Sequence, residues 1–75
     1  MNYKERIISD HKIMLGKPVI KGTRITVELI LNKLSAGESV NDIVSSYPHI
    51  TKEDIMAAID YAAAVISNEE MIDGK

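Results

Sequence analysis

Four residues with side chains suited to phosphate stand close together in the first third of the chain. Lysine offers a phosphate a point charge, arginine offers two parallel N–H donors, and a threonine hydroxyl adds a neutral hydrogen bond. Free backbone N–H groups near Gly22 are further donors. The spacing therefore predicts contacts with the backbone of a nucleic acid. The four residues are Lys17, Lys21, Thr23 and Arg24.

A purely structural role is the alternative for the same stretch. Gly22, Thr23 and Arg24 are typical turn residues, and Arg24 stands four places before Glu28. An ion pair at that spacing is easy to form on a helix start. In that case the stretch shapes a turn and contacts no ligand.

The charges of the chain are divided unevenly. Residues 1–33 contain seven Lys and Arg against three Asp and Glu, whereas residues 34–75 contain two against eight. Such a division predicts separate electrostatic partners for the two halves. An ordinary solvated surface is the alternative.

The sequence does not predict an enzyme. It has no cysteine, no serine within Gly-X-Ser-X-Gly, and no phosphate-binding loop, because the order of Gly and Lys in GKPVIKGT differs from that motif. His11 and His49 lack metal-site spacing and are predicted to be surface or turn residues. We therefore expect no cofactor, no metal and no small-molecule substrate.

The chain is long enough for one domain, spanning residues 1–75. It has three Tyr, no Phe, no Trp and no Cys, so neither large aromatic side chains nor disulfides add stability. We expect a homodimer for that reason. The apolar runs are far shorter than the roughly 20 residues of a membrane span, and no signal-peptide pattern is visible, which predicts a cytoplasmic protein.

The first 25 residues predict an N-terminal β arm or hairpin. Apolar triplets at residues 13–15 and 18–20 flank Gly16-Lys17, which fits a two-residue turn. Residues 3–8 fit a short strand or a loose arm. Since an isolated hairpin is marginal in water, helices or a second chain must cover its edges. The sequence leaves open whether the arm pairs within its own chain or across a dimer.

Residues 26–68 predict three helices, and residues 69–75 a frayed tail. Thr26, Ser39 and Thr51 are expected to begin the helices, and Gly37 and Pro48 to end the first two. The fold is therefore mainly α, and the short connection between the last two helices is typical of a helix-turn-helix. The predicted buried stripes are Val27, Ile30, Leu31 and Leu34; Val40, Ile43, Val44 and Tyr47; and Ile55, Ile59, Ala62 and Ile66, with Ala58 and Val65 beside the last.

The run GKPVIKGTRI, at residues 16–25, resembles the signature of the domain-of-unknown-function 433 family. The resemblance extends over about residues 7–65 and includes Gly37, Tyr47-Pro48 and Asp54-Ile55. Members of that family are assigned a homeodomain-like helical fold, and many resemble antitoxins encoded beside a PIN-like nuclease toxin. The resemblance thus implies a homeodomain-like three-helix bundle that binds DNA and neutralises a toxin. The chain departs from the pattern at His11, Leu15 and Thr26.

These observations lead to one functional hypothesis and one alternative. The basic N-terminal half would bind operator DNA, and a β-ribbon built from two chains is one geometry for that contact. Docking by the third helix is less favoured, because its start is acidic. The acidic helices would face the basic groove of a nuclease toxin. The alternative is a protein–protein interaction module that does not bind DNA. The predicted toxin-facing residues are Glu53, Asp54, Asp60, Glu69 and Glu70.

Overall fold

The computed structural model describes the backbone of residues 3–73 and the side chains of residues 3–68. Two short strands precede three helices, as the sequence predicts. The strands are antiparallel neighbours in one small sheet. The elements are β1 (Ile7–Ile8), β2 (Val19–Ile20), α1 (Val27–Ser35), α2 (Val40–Ser46) and α3 (Lys52–Asp73).

Strand β2 lies at the centre of the N-terminal half. It pairs with β1 on one side, and on the other side Val19 bridges Thr26. Val19 is fully buried and Ile20 is 2% exposed. Because both edges of β2 have partners within the chain, the strand pairing needs no second copy.

The predicted hairpin over residues 13–20 is wrong in its first strand. Met14–Gly16 form a tight turn in which all three residues have left-handed backbones, with φ of 51°, 58° and 86°. β1 takes the place of residues 13–15 as the partner of β2. Ile7 is buried in the core whereas Leu15 is 90% exposed, so burial of apolar surface selects the more distant partner.

The predicted helix starts are confirmed. The hydroxyl of Thr26 accepts a backbone N–H from the first turn of α1. Ser39 and Thr51 each form a capping box, Ser39 with Asp42 and Thr51 with Asp54. The pKa of the Asp42 carboxyl is held below its ordinary value of 3.8. The largest cause is the hydrogen bond from the backbone N–H of Ser39, and the hydrogen bond with the Ser39 side chain also lowers it.

The helix ends agree with prediction for α1 and α2 but not for α3. Gly37 has φ of 98° and its N–H donates to the carbonyl of Leu34, which closes α1. α2 ends at Ser46, just before Tyr47-Pro48. α3 continues to Asp73, beyond the predicted boundary at residue 68, because no Gly or Pro interrupts residues 52–73.

The core consists of aliphatic side chains from every element, as the composition requires. On α3, Ile55, Ala57 and Ala58 are fully buried, whereas Ile59 is 39% and Ile66 is 62% exposed. The predicted stripe through Ile59 and Ile66 is therefore wrong. The small alanines let α3 pack closely on its alanine side, which leaves the two larger isoleucines outside. Among the described residues, no helix is both long and apolar enough to span a bilayer.

Candidate nucleic-acid interface

The turn at residues 21–24 follows β2 and is fixed by its own hydrogen bonds. The N–H of Lys21 donates to the carbonyl of Arg6 at 2.8 Å. Gly22 has φ of 82°, a conformation that glycine adopts without strain. Both N–H and hydroxyl of Thr23 donate to the carbonyl of Ile20, at 3.0 Å and 2.8 Å. The turn is therefore a fixed projection from a buried strand.

The hydroxyl of Thr23 serves this turn. It donates to Ile20 and also accepts the N–H of Ile25 at 3.0 Å. A hydroxyl has only one proton to donate, so Thr23 has none left for a phosphate oxygen while the turn is formed. The structural alternative describes this residue better than the predicted phosphate contact.

Lys21 and Arg24 have no such internal role. Both side chains are exposed, and within residues 3–68 neither forms an ion pair. The predicted alternative, a pair between Arg24 and Glu28, does not form. The two cations therefore remain available to an anionic partner.

Lys17 is the partner of Glu28 instead. Its Nζ lies 3.0 Å from Oε1 of Glu28, and the two side chains are 56% and 64% exposed. An ion pair that is this exposed contributes about 0–1 kcal/mol. Lys17 is thus already neutralised, although the pair is weak enough to open.

Ion pairs also join the two halves of the chain, which reduces the charge division seen in the sequence. Arg6 pairs with Asp54 at 3.0 Å, and Lys33 pairs with Glu38 at 3.4 Å. Each pair takes its cation from residues 1–33 and its acid from residues 34–75. The exposed cations that form no ion pair in the described region include Lys12, Lys21 and Arg24.

Asp54 lies in the interior and forms three hydrogen bonds with two residues. Its Oδ1 accepts from Arg6 at 3.0 Å, its Oδ2 accepts the N–H of Thr51 at 3.0 Å, and its own N–H donates to the Thr51 hydroxyl. Its side chain is only 11% exposed. Asp54 is therefore not available to a toxin while these bonds are formed. Sequence spacing gives no signal for the pair with Arg6, which stands 48 residues away.

The other predicted toxin-facing residues do not share one environment. Glu53 is exposed at the start of α3, and Asp60 is half-buried about two turns later. The side chains of Glu69 and Glu70 lie outside the described residues. In the part of the chain with described side chains, the acidic surface of α3 thus reduces to Glu53 and Asp60.

A hollow of about 430 Å³ adjoins the turn and is lined by Ile13, Gly22, Thr23 and Arg24. Arg24 therefore lies beside Ile13, the residue that precedes the left-handed turn Met14–Gly16. Its few lining groups give no set of convergent donors for a small ligand. No cluster of three His, Asp or Glu side chains in the described region is arranged to hold a metal ion.

Residues 7–62 match the protein family described as Protein of unknown function (DUF433). The chain belongs to the DUF433 family. The match includes both strands, α1, α2 and the part of α3 that packs in the core, so it covers the interface residues together with the elements that position them.

Other DUF433-like proteins show how the fold recurs. A DUF433 member from Anabaena variabilis has a crystal structure that superposes with a TM-score of 0.76 at 29% identity, over 91% of this chain and 64% of that one. An uncharacterized Sinorhizobium fredii protein, y4eO, is 34% identical over 61 residues, which are 81% of this chain and 28% of that protein. An uncharacterized Archaeoglobus fulgidus protein is 67% identical over 24 residues, 32% of this chain and 67% of its own. This chain thus spans less than a third of y4eO and just under two thirds of the Anabaena protein.

Within this DUF433 chain, the GKPVIKGTRI run separates into residues that build the structure and residues that do not. Val19 and Ile20 fill the core, and Gly22 and Thr23 form the turn. The side chains of Lys21 and Arg24 have neither burial nor an ion pair within the described region. The surface that the run presents is therefore cationic.

Proposed function

We propose that this chain is an antitoxin-like, DNA-binding member of a toxin–antitoxin pair that acts as a homodimer. The observation that supports this proposal most directly is the turn at residues 21–24. It holds two exposed cations, which form no ion pair within residues 3–68, on a backbone that is hydrogen-bonded to the core. Because the backbone of the turn is already ordered, binding a phosphate there costs side-chain conformational entropy but little backbone entropy.

The proposed contacts are ionic and lie on the nucleic-acid backbone. Lys21 would supply a point charge and Arg24 a two-pronged donor to adjacent phosphates. Lys17 stays paired with Glu28 and is not among the proposed contacts, and Thr23 would act by holding the turn. Contacts of this kind position a protein on DNA without reading bases.

The second part of the proposal concerns α2 and α3. Residues 47–51 join them, and we assign them as the helix-turn-helix of a homeodomain-like bundle. The N-terminus of α3 exposes Glu53, which would repel phosphate if α3 entered the major groove. We therefore assign DNA to the turn at residues 21–24 and the acidic side of α3, with Glu53 and Asp60, to a basic toxin such as a PIN-like nuclease.

A double substitution tests the DNA contact. Lys21→Ala with Arg24→Ala should weaken binding to duplex DNA from upstream of the gene at least tenfold. It should also lower the slope of log K against log salt by about 2, because each phosphate contact contributes about 0.9. Affinity is measured by fluorescence anisotropy at several salt concentrations.

The matched control is Lys17→Ala with Lys52→Ala, which removes the same charge elsewhere. This control should leave the salt slope nearly unchanged. Equal losses of DNA affinity in both double variants would show that only net charge determines binding. A loss confined to the control would move the contact to the ion-paired edge or to the start of α3.

The alternative function is an interaction module that contacts only protein. The hydrogen bonds of Thr23 and the ion pair of Lys17 favour it, because two of the four predicted phosphate contacts are already used within the chain. Wild-type protein that binds no DNA in a gel shift, yet co-purifies with the product of the neighbouring gene, would support this alternative.

A further inference from the structure

An apolar groove separates α1 from the C-terminal half of α3. It encloses about 400 Å³. Neither Lys21 nor Arg24 lines this groove, so the proposed DNA contact assigns no function to it. The apolar walls are formed by Val27 and Leu31 of α1 and by Tyr61, Ala62, Val65 and Ile66 of α3.

The part of α3 that borders the groove is apolar on every side. Residues 61–66 read YAAAVI, and no residue from Tyr61 to Asn68 is charged, although 27% of the chain is Asp, Glu, Lys or Arg. Val65 is 37% and Ile66 is 62% exposed, and Ala63 on another side is exposed as well. A helix that is apolar all round is normally buried. Within residues 3–68, the rest of the chain covers only part of this segment.

The absence of charge indicates what covers it. In a two-fold dimer the same patch of both copies comes together, so a patch with net charge faces its own sign, and a neutral patch avoids that repulsion. Residues 61–68 are neutral, and among the described residues that line the groove the charged ones, Lys17 and Glu28, neutralise each other. The ionic contacts proposed for DNA and for a basic toxin use Lys21, Arg24, Glu53 and Asp60, none of which lines this groove.

The shape of the segment agrees with a second copy. The alanines at positions 62–64 allow two helices to approach closely, while Val65 and Ile66 line the groove and are 37% and 62% exposed. The same helix thus supplies both a wall of the apolar groove and exposed apolar side chains. A two-fold axis across it lets the exposed side chains of each copy enter the groove of the other.

We infer that this groove is the self-association surface of the chain, with Val65 and Ile66 of each copy seated between α1 and α3 of the other. The inference deepens the proposed homodimer by naming its interface. It does not depend on DNA binding, and the experiments below contain no DNA. A failed dimer and a failed DNA contact are therefore distinguishable.

Solution mass tests the interface. The chain of 8.3 kDa should elute at twice that mass in light-scattering chromatography at micromolar concentration. Ile66→Glu should give the monomer mass with an unchanged helical circular-dichroism spectrum, because it places carboxylates in an apolar interface. Leu15→Glu is the matched control, since Leu15 is 90% exposed and does not line the groove; it should remain a dimer.

Cross-linking keeps the inference testable if Ile66→Glu does not fold. The chain has no cysteine, so single variants report one position each. At least one of Ala62→Cys, Val65→Cys and Ile66→Cys should form an interchain disulfide under mild oxidation, whereas Leu15→Cys should not. A wild-type monomer at all concentrations up to the millimolar range, or a dimer in which none of the three cross-links, would overturn the inference.

Discussion

At the residue scale, Leu15 is held in a conformation that its side chain does not favour. Its φ is 58°, in the left-handed region, and its side chain is 90% exposed. A left-handed backbone costs a non-glycine residue roughly 1–2 kcal/mol. Here the side chain recovers almost none of that through burial. Met14, with φ of 51°, shares the strain but is less exposed.

Leu15→Gly should therefore stabilise the protein. Relief of about 1–2 kcal/mol in the folded state is partly offset by about 0.5–1 kcal/mol from the greater freedom of glycine in the unfolded chain. We expect the free energy of unfolding to rise by about 0.5–1 kcal/mol and Tm by a few degrees. Urea denaturation and a thermal scan measure both. Leu15→Ala keeps the Cβ atom and therefore the backbone strain. If it raised the free energy of unfolding as much as Leu15→Gly does, the exposed leucine side chain, not the backbone strain, would be responsible.

At the element scale, the starts of all three helices and the ends of α1 and α2 could be predicted from sequence, whereas the end of α3 and the pairing of elements could not. The caps at Thr26, Ser39 and Thr51 and the stop at Gly37 depend on residues three or four places away, so the information is local. The partner of β2 and the rotation of α3 depend on which apolar surfaces fit together across the molecule. A sequence pattern alone does not supply that fit, which explains the errors at residues 13–15, Ile59 and Ile66.

The link between the N-terminal segment and α3 is also non-local, and it has a measurable energy. Asp54 completes the cap of α3 and binds Arg6 from a largely buried position. Asp54→Ala should lower the free energy of unfolding by about 2–3 kcal/mol, through the lost cap and the unpaired arginine. Glu28→Ala removes the exposed pair with Lys17 and should change it by less than about 0.5 kcal/mol. Both are measured by urea denaturation.

Thr51→Ala separates the two contributions at Asp54. It removes one hydrogen bond of the cap and leaves the pair with Arg6, so it should cost only about 1 kcal/mol. If Thr51→Ala and Asp54→Ala cost the same, the pair with Arg6 adds nothing to stability.

At the scale of the whole molecule, folding redistributes the charges that the sequence divides between its halves. Arg6 and Lys33 pair with acids of the other half, and Lys17 pairs within its own. What the sequence predicts correctly is that the GKPVIKGTRI run carries cations to the surface. It does not show which cations remain unpaired, because each pairing partner is chosen by the tertiary structure. The described surface therefore offers a cationic turn, a reduced acidic region and a neutral apolar groove.

The neutral apolar groove leads to a prediction about the dynamics of α3. α3 is about 33 Å long by its 22 residues, but its fully buried residues, such as Ile55 and Ala58, lie in its first third. If a second copy covers the groove, amide hydrogen exchange over residues 62–68 should depend on protein concentration, because only an associated copy is protected. The exchange rate should fall at least tenfold when the concentration rises from well below to well above the dimer Kd. Exchange over residues 54–61 should change much less, since the core of each chain already protects it. In Ile66→Glu the two segments should show no concentration dependence at all. Equal protection of residues 62–68 at every concentration would mean that the helix is stable there without a partner, and that the groove stays open to solvent.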